Sequence, residues 1–562
     1  MVTAQPVGTN RKGGVERWLD GHGDLAAMLV VVLGFLARLW AAAGTFLNPD
    51  EALHFRLANE SSLALVYKAS LTALHPPLLF LLLHLWRGLG TSELWLRLPS
   101  VVAGTVFCWL FFKWLSQVAG RLTGLLGLML VALLPPEVML SAEMRQYALL
   151  LAFLAGALYF LERAFGEDSA GPMLASALCL YLAMLTHYSA FLFAAALGAY
   201  GLSKMFTPPA ERPRASVVAS WVVGQLCALA LCVFLYKTHL SQHGTGDSAV
   251  LQGWIAYLSR SSYFQPGRDN PLLFAVGRSF GVFQYLFGQL AVGIVMGLAF
   301  LAGLGLILRG RGLAGKVVPS RRLAILLIFP FVLACAASFL HAYPYGGTRH
   351  VSFLIMPATA GISVAMARLA SAGSTGAGPR GERWTRGVAI TALVVAVCIT
   401  FGKQRRPSME RADQSRAHMA AAIEFIQTKI ASSDLIFTDY QSDLLLGHYL
   451  CGQRTIPFDT TPPPGFEQFS CGAHRIVSKD YTRWQFWANN FIPEWQRFVE
   501  TYQLKPGSNV WIVQAGWSVE LPEELRRNFV EFHDLHFESF GDNIKMFKLA
   551  VGQPGNRQPQ IP

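Results

Sequence analysis

Apolar runs close to membrane-spanning length recur along this 562-residue chain. Among them are Leu25–Trp40 continued by Ala41–Ala43, Val218–Tyr236, Leu290–Leu308, Leu323–Leu340 and Ile390–Phe401. Each approaches or reaches the roughly 20 apolar residues that a helix needs to cross hydrocarbon. Their number excludes a single anchor or a signal peptide. Charged residues make up 14% of the chain, well under the roughly one-quarter of soluble domains. The expected class is therefore a multi-pass α-helical membrane protein surrounded by membrane lipids. The net charge of +12 does not argue for nucleic acid, because the basic residues cluster in short loops between apolar segments, where they set orientation instead.

Apolar length and helix breakers predict about eleven spans, near 24–45, 92–115, 122–140, 146–161, 171–186, 189–203, 216–236, 288–308, 323–342, 350–367 and 388–402. With the N-terminal tail 1–23 (Arg11, Lys12, Arg17) in the cytoplasm, the basic loops Lys204–Arg214, Arg309–Arg322 and Arg368–Arg386 fall inside as well. Glu162–Asp168 is more acidic than an inner loop usually is, although acidic residues weigh little in that rule. The outer side then receives the loops 46–91 and 238–272 and the polar tail 403–562. In that tail Met409–Ile430 has the spacing of an amphipathic helix, and Leu435–Thr438 and Asn509–Val513 have the composition of strands. A soluble extracytoplasmic α/β domain is expected there, after the membrane domain 24–402. Cys451 and Cys471 are the two cysteines of the tail. A disulfide between them would suit an oxidising exterior, but spacing leaves pairing and free thiols equally open.

This topology gathers most of the chemically capable residues on one face. Asp50-Glu51, His75-Pro76-Pro77, Glu143 to Tyr147, His187-Tyr188 and Thr348-Arg349-His350 all lie outside. Singly, each has an ordinary reading. Pro76-Pro77 breaks a helix, Glu143 and Arg145 form a solvated pair, Arg349 snorkels, and His187-Tyr188 anchors at the interface. Together they suit transfer chemistry on a lipid phosphate: arginine grips phosphate oxygens, histidine and tyrosine add hydrogen bonds, and a carboxylate deprotonates an acceptor hydroxyl. Neither GxxxxGK[ST] nor a GxGxxG in strand-to-helix context occurs.

The ordered segments resemble the GT-C-fold glycosyltransferases, especially the bacterial relatives of protein O-mannosyltransferases and lipid A aminoarabinose transferases. Asn48-Pro49-Asp50-Glu51-Ala52 is similar to the first-loop acidic motif of that family, and Leu74-His75-Pro76-Pro77-Leu78 to its HPP or KPP motif. Ser92 to Ser100 resembles SE-x-x-x-RLPS. Ser141 to Leu149 resembles SQEAR-x-Y-x-L, departing from it at Ala142 and Met144. Thr348-Arg349-His350 and Pro357 extend the match toward residue 402. The resemblance implies a polyprenyl-phosphate-linked sugar donor, an inverting mechanism and an active site on the outer face of a bacterial cytoplasmic membrane. Asp50 becomes the catalytic base, and Glu51 its helper toward the acceptor or a divalent metal. Glu143, Arg145, Tyr147, His187, Tyr188, Arg349 and His350 become donor or phosphate ligands. His75 stands where some relatives carry a phosphate-binding lysine. No cofactor is required, and a divalent metal near the acidic loop is the one the family allows. Trp254, Tyr257, Tyr263 and Phe264 in the second outer loop suit a lid or an interfacial segment equally.

The acceptor hydroxyl can belong to a lipid, a glycan or a protein, since acceptor pockets are read from shape rather than motif. A saccharide ligase or polymerase using diphosphate-linked lipid shares the same outer site. A lipid transporter or flippase instead predicts ionisable residues deep in several spans and repeat symmetry. The chain carries few span charges and no fixed-period repeat.

Overall fold

The computed structural model describes residues 14–73, 75–206, 212–241, 262–310, 321–372, 414–452, 456–457, 462–517 and 519–552. In hydrocarbon every backbone polar group has to be satisfied within its own segment, so the apolar runs fold as helices. They are α1 (Gly14–Ala43), α5 (Glu93–Ala119), α6 (Arg121–Leu133), α7 (Pro135–Ser141), α8 (Tyr147–Glu167), α9 (Ala170–Met184), α10 (Ser189–Met205) and α11 (Ala215–Leu235). After these come α12 (Pro271–Phe287), α13 (Leu290–Leu308), α14 (Leu323–Phe339) and α15 (Ile355–Ala372), the last preceded by the 3-10 turn Arg349–Leu354.

Six of these helices are long and apolar enough to cross a membrane, and α6 with α7, bent by 62° at Leu134, makes a seventh if counted as one span. Pro135 at the start of α7 explains that break, because its ring cannot continue the preceding helix. The expected windows 171–186 and 323–342 hold helices of 15 and 17 residues, shorter than a straight crossing requires. The window 388–402 lies outside the described residues, as do Trp254 and Tyr257. Among the long apolar helices, α12 was not anticipated: it starts on an Asn270 cap and packs against α13. Where Gly303 of α13 crosses α15, an added β-carbon would collide with the Gly361 carbonyl, so the two backbones touch, as small residues permit between membrane helices.

The outer segment 46–91 is largely helical, with α2 (Pro49–Ala58), α3 (Leu63–Ser70) and α4 (Leu78–Trp86). Its HPP stretch is pinned by Leu78 N–H, which donates to the Leu185 carbonyl at 3.0 Å, at the C-terminal end of α9.

From Gln414 onward the chain builds a seven-stranded mixed sheet in the order β2-β3-β4-β1-β5-β7-β6. Its strands are β1 (Leu435–Thr438), β2 (Ile456–Pro457), β3 (Phe466–Cys471), β4 (His474–Lys479), β5 (Asn509–Ala515), β6 (Phe537–Ser539) and β7 (Ile544–Ala550). Central β1 runs parallel to β4 and β5, and the outer pairs are antiparallel. Alternation along β1 sends Ile436 into one core with Met419, Ile426 and Leu445, and Phe437 into another with Phe491 and Phe498. The helices supplying these residues are α16 (Arg416–Lys429), α17 (Tyr440–Tyr449) and α18 (Ala488–Thr501). Cys451 and Cys471 form a disulfide with Cα atoms 4.7 Å apart. It joins the chain just after α17 to the end of β3.

Candidate active site

The site is built around α2. Asn48 accepts the Glu51 N–H at 3.0 Å, the Glu51 carboxylate accepts the Asn48 N–H at 2.9 Å, and Pro49 occupies the first turn. This capping box is written in Asn-Pro-Asp-Glu itself. It leaves Asp50 on a rigid first turn.

Glu51 is fully buried and committed to scaffolding. Its Oε1 accepts from Arg97 Nε at 2.8 Å and Met144 N–H at 2.7 Å, and its Oε2 from Arg97 Nη2 at 2.7 Å. The guanidinium of Arg97 also donates to the carbonyls of Ala42 (2.9 Å), Thr45 (2.8 Å) and Phe46 (2.8 Å). A buried charge pair is tolerable only when its remaining hydrogen-bonding positions are filled, and here they are. The motif residue Arg97 thus locks the acidic loop to α5.

Asp50 is bound quite differently. Its Oδ2 accepts from Arg349 Nη2 at 2.7 Å and forms an ion pair with Arg145 Nη1 as well. Burial raises the carboxyl's pKa, but the two guanidiniums outweigh it and hold Asp50 down at about 2. Arg145 comes from the bend after α7, where Ser100 Oγ donates to its carbonyl at 3.2 Å, and its guanidinium lies 5.7 Å from the Tyr147 ring centre. Glu143 is buried in the same bend.

Behind this centre runs a column of imidazoles. His54 stacks on Phe80 and on His75, with ring centres 5.2 and 5.7 Å apart, and His75 stacks on His187 at 5.6 Å. Tyr147 and Tyr343 flank His187 at 5.4 and 6.4 Å. The Gln146 amide lies 3.1 Å from His75 Nε2. The N–H of Ser189 donates to His187 Nδ1 at 3.3 Å, which puts that ring's proton on Nε2. Burial, reinforced by Arg145 and neighbouring imidazoles, lowers His54 to about 4, His187 to about 3 and His75 well below the usual histidine value. The column is therefore neutral at pH 7. His350 joins it electrostatically through His187, and its carbonyl accepts the Tyr343 hydroxyl at 2.8 Å. The ring of Tyr188 packs on Phe191 instead, and its buried hydroxyl, like that of Tyr147, has no hydrogen-bond partner among the described residues.

A divalent metal does not fit these residues. Among the described residues no group of three His, Cys, Asp or Glu side chains is arranged to hold a metal ion. Both Glu51 oxygens are already taken by donors, and Asp50 Oδ2 lies between two guanidiniums. What the arrangement can do is bind an anion with two arginines next to a carboxylate, beside neutral imidazole donors.

The structure thus unites Asp50, Arg145 and Arg349, which are far apart in the chain, and sets His75, Tyr147 and His187 beside them. Sequence reading missed His54, Tyr343 and the role of Arg97, and it gave Gln146 no role of its own within the Glu143 to Tyr147 segment. His54 had a local signal, since it stands four residues after Asp50 on the same helix face. Tyr343 and Arg97 meet the site only through the tertiary fold.

Comparison with known proteins bears on the fold. Residues 74–237 match the family of dolichyl-phosphate-mannose-protein mannosyltransferases. A search of curated protein sequences finds no match. Among solved structures, ArnT from Cupriavidus metallidurans bound to undecaprenyl phosphate superposes with a TM-score of 0.51 at 12% identity, covering 93% of this chain and 98% of that one. ArnT from the same organism in the apo state gives 0.52 at 11% identity, over 95% and 98%. From α1 to the C-terminal sheet, this chain is a membrane protein with the GT-C fold.

Proposed function

We propose that the protein is an inverting glycosyltransferase that moves a hexosyl or pentosyl group from a polyprenyl-phosphate donor to an acceptor hydroxyl. The observation that carries this reading is the convergence of Arg145 and Arg349 on one oxygen of Asp50. The Asp50 carboxylate is the anion that faces both guanidiniums. A donor phosphate brings its own charge to the two guanidiniums and draws them from Asp50, whose pKa then rises from about 2 toward the range in which a carboxylate accepts a proton. Asp50 takes the proton of the acceptor hydroxyl. The acceptor oxygen bonds to the anomeric carbon from the face opposite the leaving group, and the bond from that carbon to the phosphate oxygen breaks. Polyprenyl phosphate departs as an anion held by Arg145 and Arg349. His75, His187 and His350 border the phosphate as neutral hydrogen-bonding groups, and Tyr147, Tyr188 and Glu143 shape the cavity. Glu51 holds the acidic loop through Arg97.

The shared fold with ArnT, one of whose structures holds undecaprenyl phosphate, supports a lipid-phosphate ligand. The distribution of basic loops supports an active site on the outer face of a bacterial cytoplasmic membrane. The test offers purified protein a monophosphate-linked and a diphosphate-linked polyprenyl sugar, with lipid, glycan and peptide acceptors in turn. Transfer with inversion from the monophosphate donor is expected. Turnover of the diphosphate donor alone would make the protein a ligase or polymerase.

A further inference from the structure

The loop that carries Asp50 is held from two sides. Arg97 grips it from the membrane helices, as described above. From the other side the sheet domain reaches it directly. Thr45 and Ser415 pair as an antiparallel bridge, Phe46 N–H donates to the Gln414 carbonyl at 2.9 Å, and Arg416 N–H donates to the Gly44 carbonyl at 3.3 Å. Phe46 and Ala52 lie in the same apolar cluster as Leu445 and Ile436. At the C-terminal end of α2, Arg56 bridges to Asp443 at 3.2 Å and to Glu467 at 2.7 Å. Gly516, at φ +129°, approaches α2 so closely that a β-carbon there would stand 2.8 Å from Pro49 Cγ.

At the centre of this contact is Tyr449, the last residue of α17. Its hydroxyl accepts the N–H of Leu47 at 2.8 Å and donates to the Glu93 carboxylate at 3.1 Å. Leu47 precedes the Asn48 cap and is itself fully buried. The phenol thus joins three parts of the chain, α17 of the sheet domain, the backbone that enters the acidic loop, and α5. Burial, with Glu93 beside it, raises the phenol's pKa, so the hydroxyl keeps its proton.

We propose that Tyr449 is a positioning residue for Asp50: the sheet domain, acting through this hydroxyl, sets the entry of the acidic loop and so the placement of Asp50 against Arg145 and Arg349. The proposal rests on the glycosyltransferase reading and adds the sheet domain to its active machinery. The test uses Tyr449→Phe in the full-length protein in lipid nanodiscs, read by hydrogen exchange and by donor kinetics. Amides of residues 47–51 should exchange about tenfold faster while the sheet core is unchanged. The value of kcat should fall about 10- to 100-fold with the donor KM within about twofold of wild type, because a small misplacement of a reacting group is costly while binding is spared. Arg56→Gln, which loosens the same contact without touching the hydroxyl, should move both readouts in the same direction by less. Wild-type exchange and kcat in Tyr449→Phe would overturn the proposal, and so would faster exchange spread evenly over the sheet. If the wild type transfers no sugar from any polyprenyl donor, the glycosyltransferase reading fails. The exchange data then decide by themselves whether Tyr449 holds the loop.

Discussion

Two buried aspartates, one in each half of the molecule, show how their surroundings drive the same carboxyl group in opposite directions. Asp439 caps α17 and is wholly enclosed. It accepts from Ser442 N–H at 3.1 Å, Ser442 Oγ at 2.5 Å, Phe486 N–H at 2.9 Å and Gln514 Nε2 at 2.9 Å. Even so, burial pushes its pKa up to about 6, because neutral donors only partly replace lost solvation. Asp50 is about as deeply enclosed, and two guanidiniums hold it at about 2. Four neutral hydrogen bonds fix a carboxylate in place. Two guanidiniums instead hold it ionised.

Asp50→Asn is the substitution that should set the two apart most. It should cut kcat by roughly two to four orders of magnitude through loss of the base, whereas Asp439→Asn should leave the kcat of folded protein within a few-fold of wild type. Steady-state transfer assays on both variants decide it, and equal losses would erase the distinction. Next in size, Arg349→Ala should weaken binding of polyprenyl phosphate by roughly 10- to 100-fold, the worth of a charge-assisted hydrogen bond. Titration with the lipid phosphate measures this, and unchanged affinity would remove Arg349 from the phosphate site.

A third effect is in stability against pH, and its sign differs between the two residues. Asp439 has a folded pKa near 6, above its ordinary 3.8, so the folded state binds the extra proton. Its contribution therefore declines as pH rises from about 4 through 6, by on the order of 3 kcal/mol. Asp50 has a folded pKa near 2, below 3.8, so its stabilisation is present above about pH 4 and is lost as pH falls toward 2. Melting temperatures across pH 4 to 7 should show a flatter decline for Asp439→Asn than for wild type. Parallel curves would show that the carboxyl is not raised.

Much of this architecture could be read from the chain. The helices α1, α5, α8, α11 and α13 lie where apolar length put them, and β1 and β5 begin where their composition put them, because spanning length and strand alternation are local properties. The Asn48–Glu51 cap is equally local, although it was recognised only in the structure. The broken span at Leu134 and the helix α12 were not read, although Pro135 and Asn270-Pro271 mark both starts.

The sequence by itself determined a multi-pass helical membrane protein with a polar α/β tail, and it set Asp50, Arg145 and Arg349 among the residues of one face. Only the tertiary structure decided which groups surround them. Glu51 read as a helper of Asp50 toward the acceptor or a metal, whereas in the fold Arg97, 46 positions along the chain, takes both of its oxygens. Tyr449 lies 402 positions from the Leu47 N–H that it accepts. The physical reason is that burial and spacing follow from composition over short windows, whereas the charge state of a carboxylate depends on which cations the folded chain brings within a few ångströms of it.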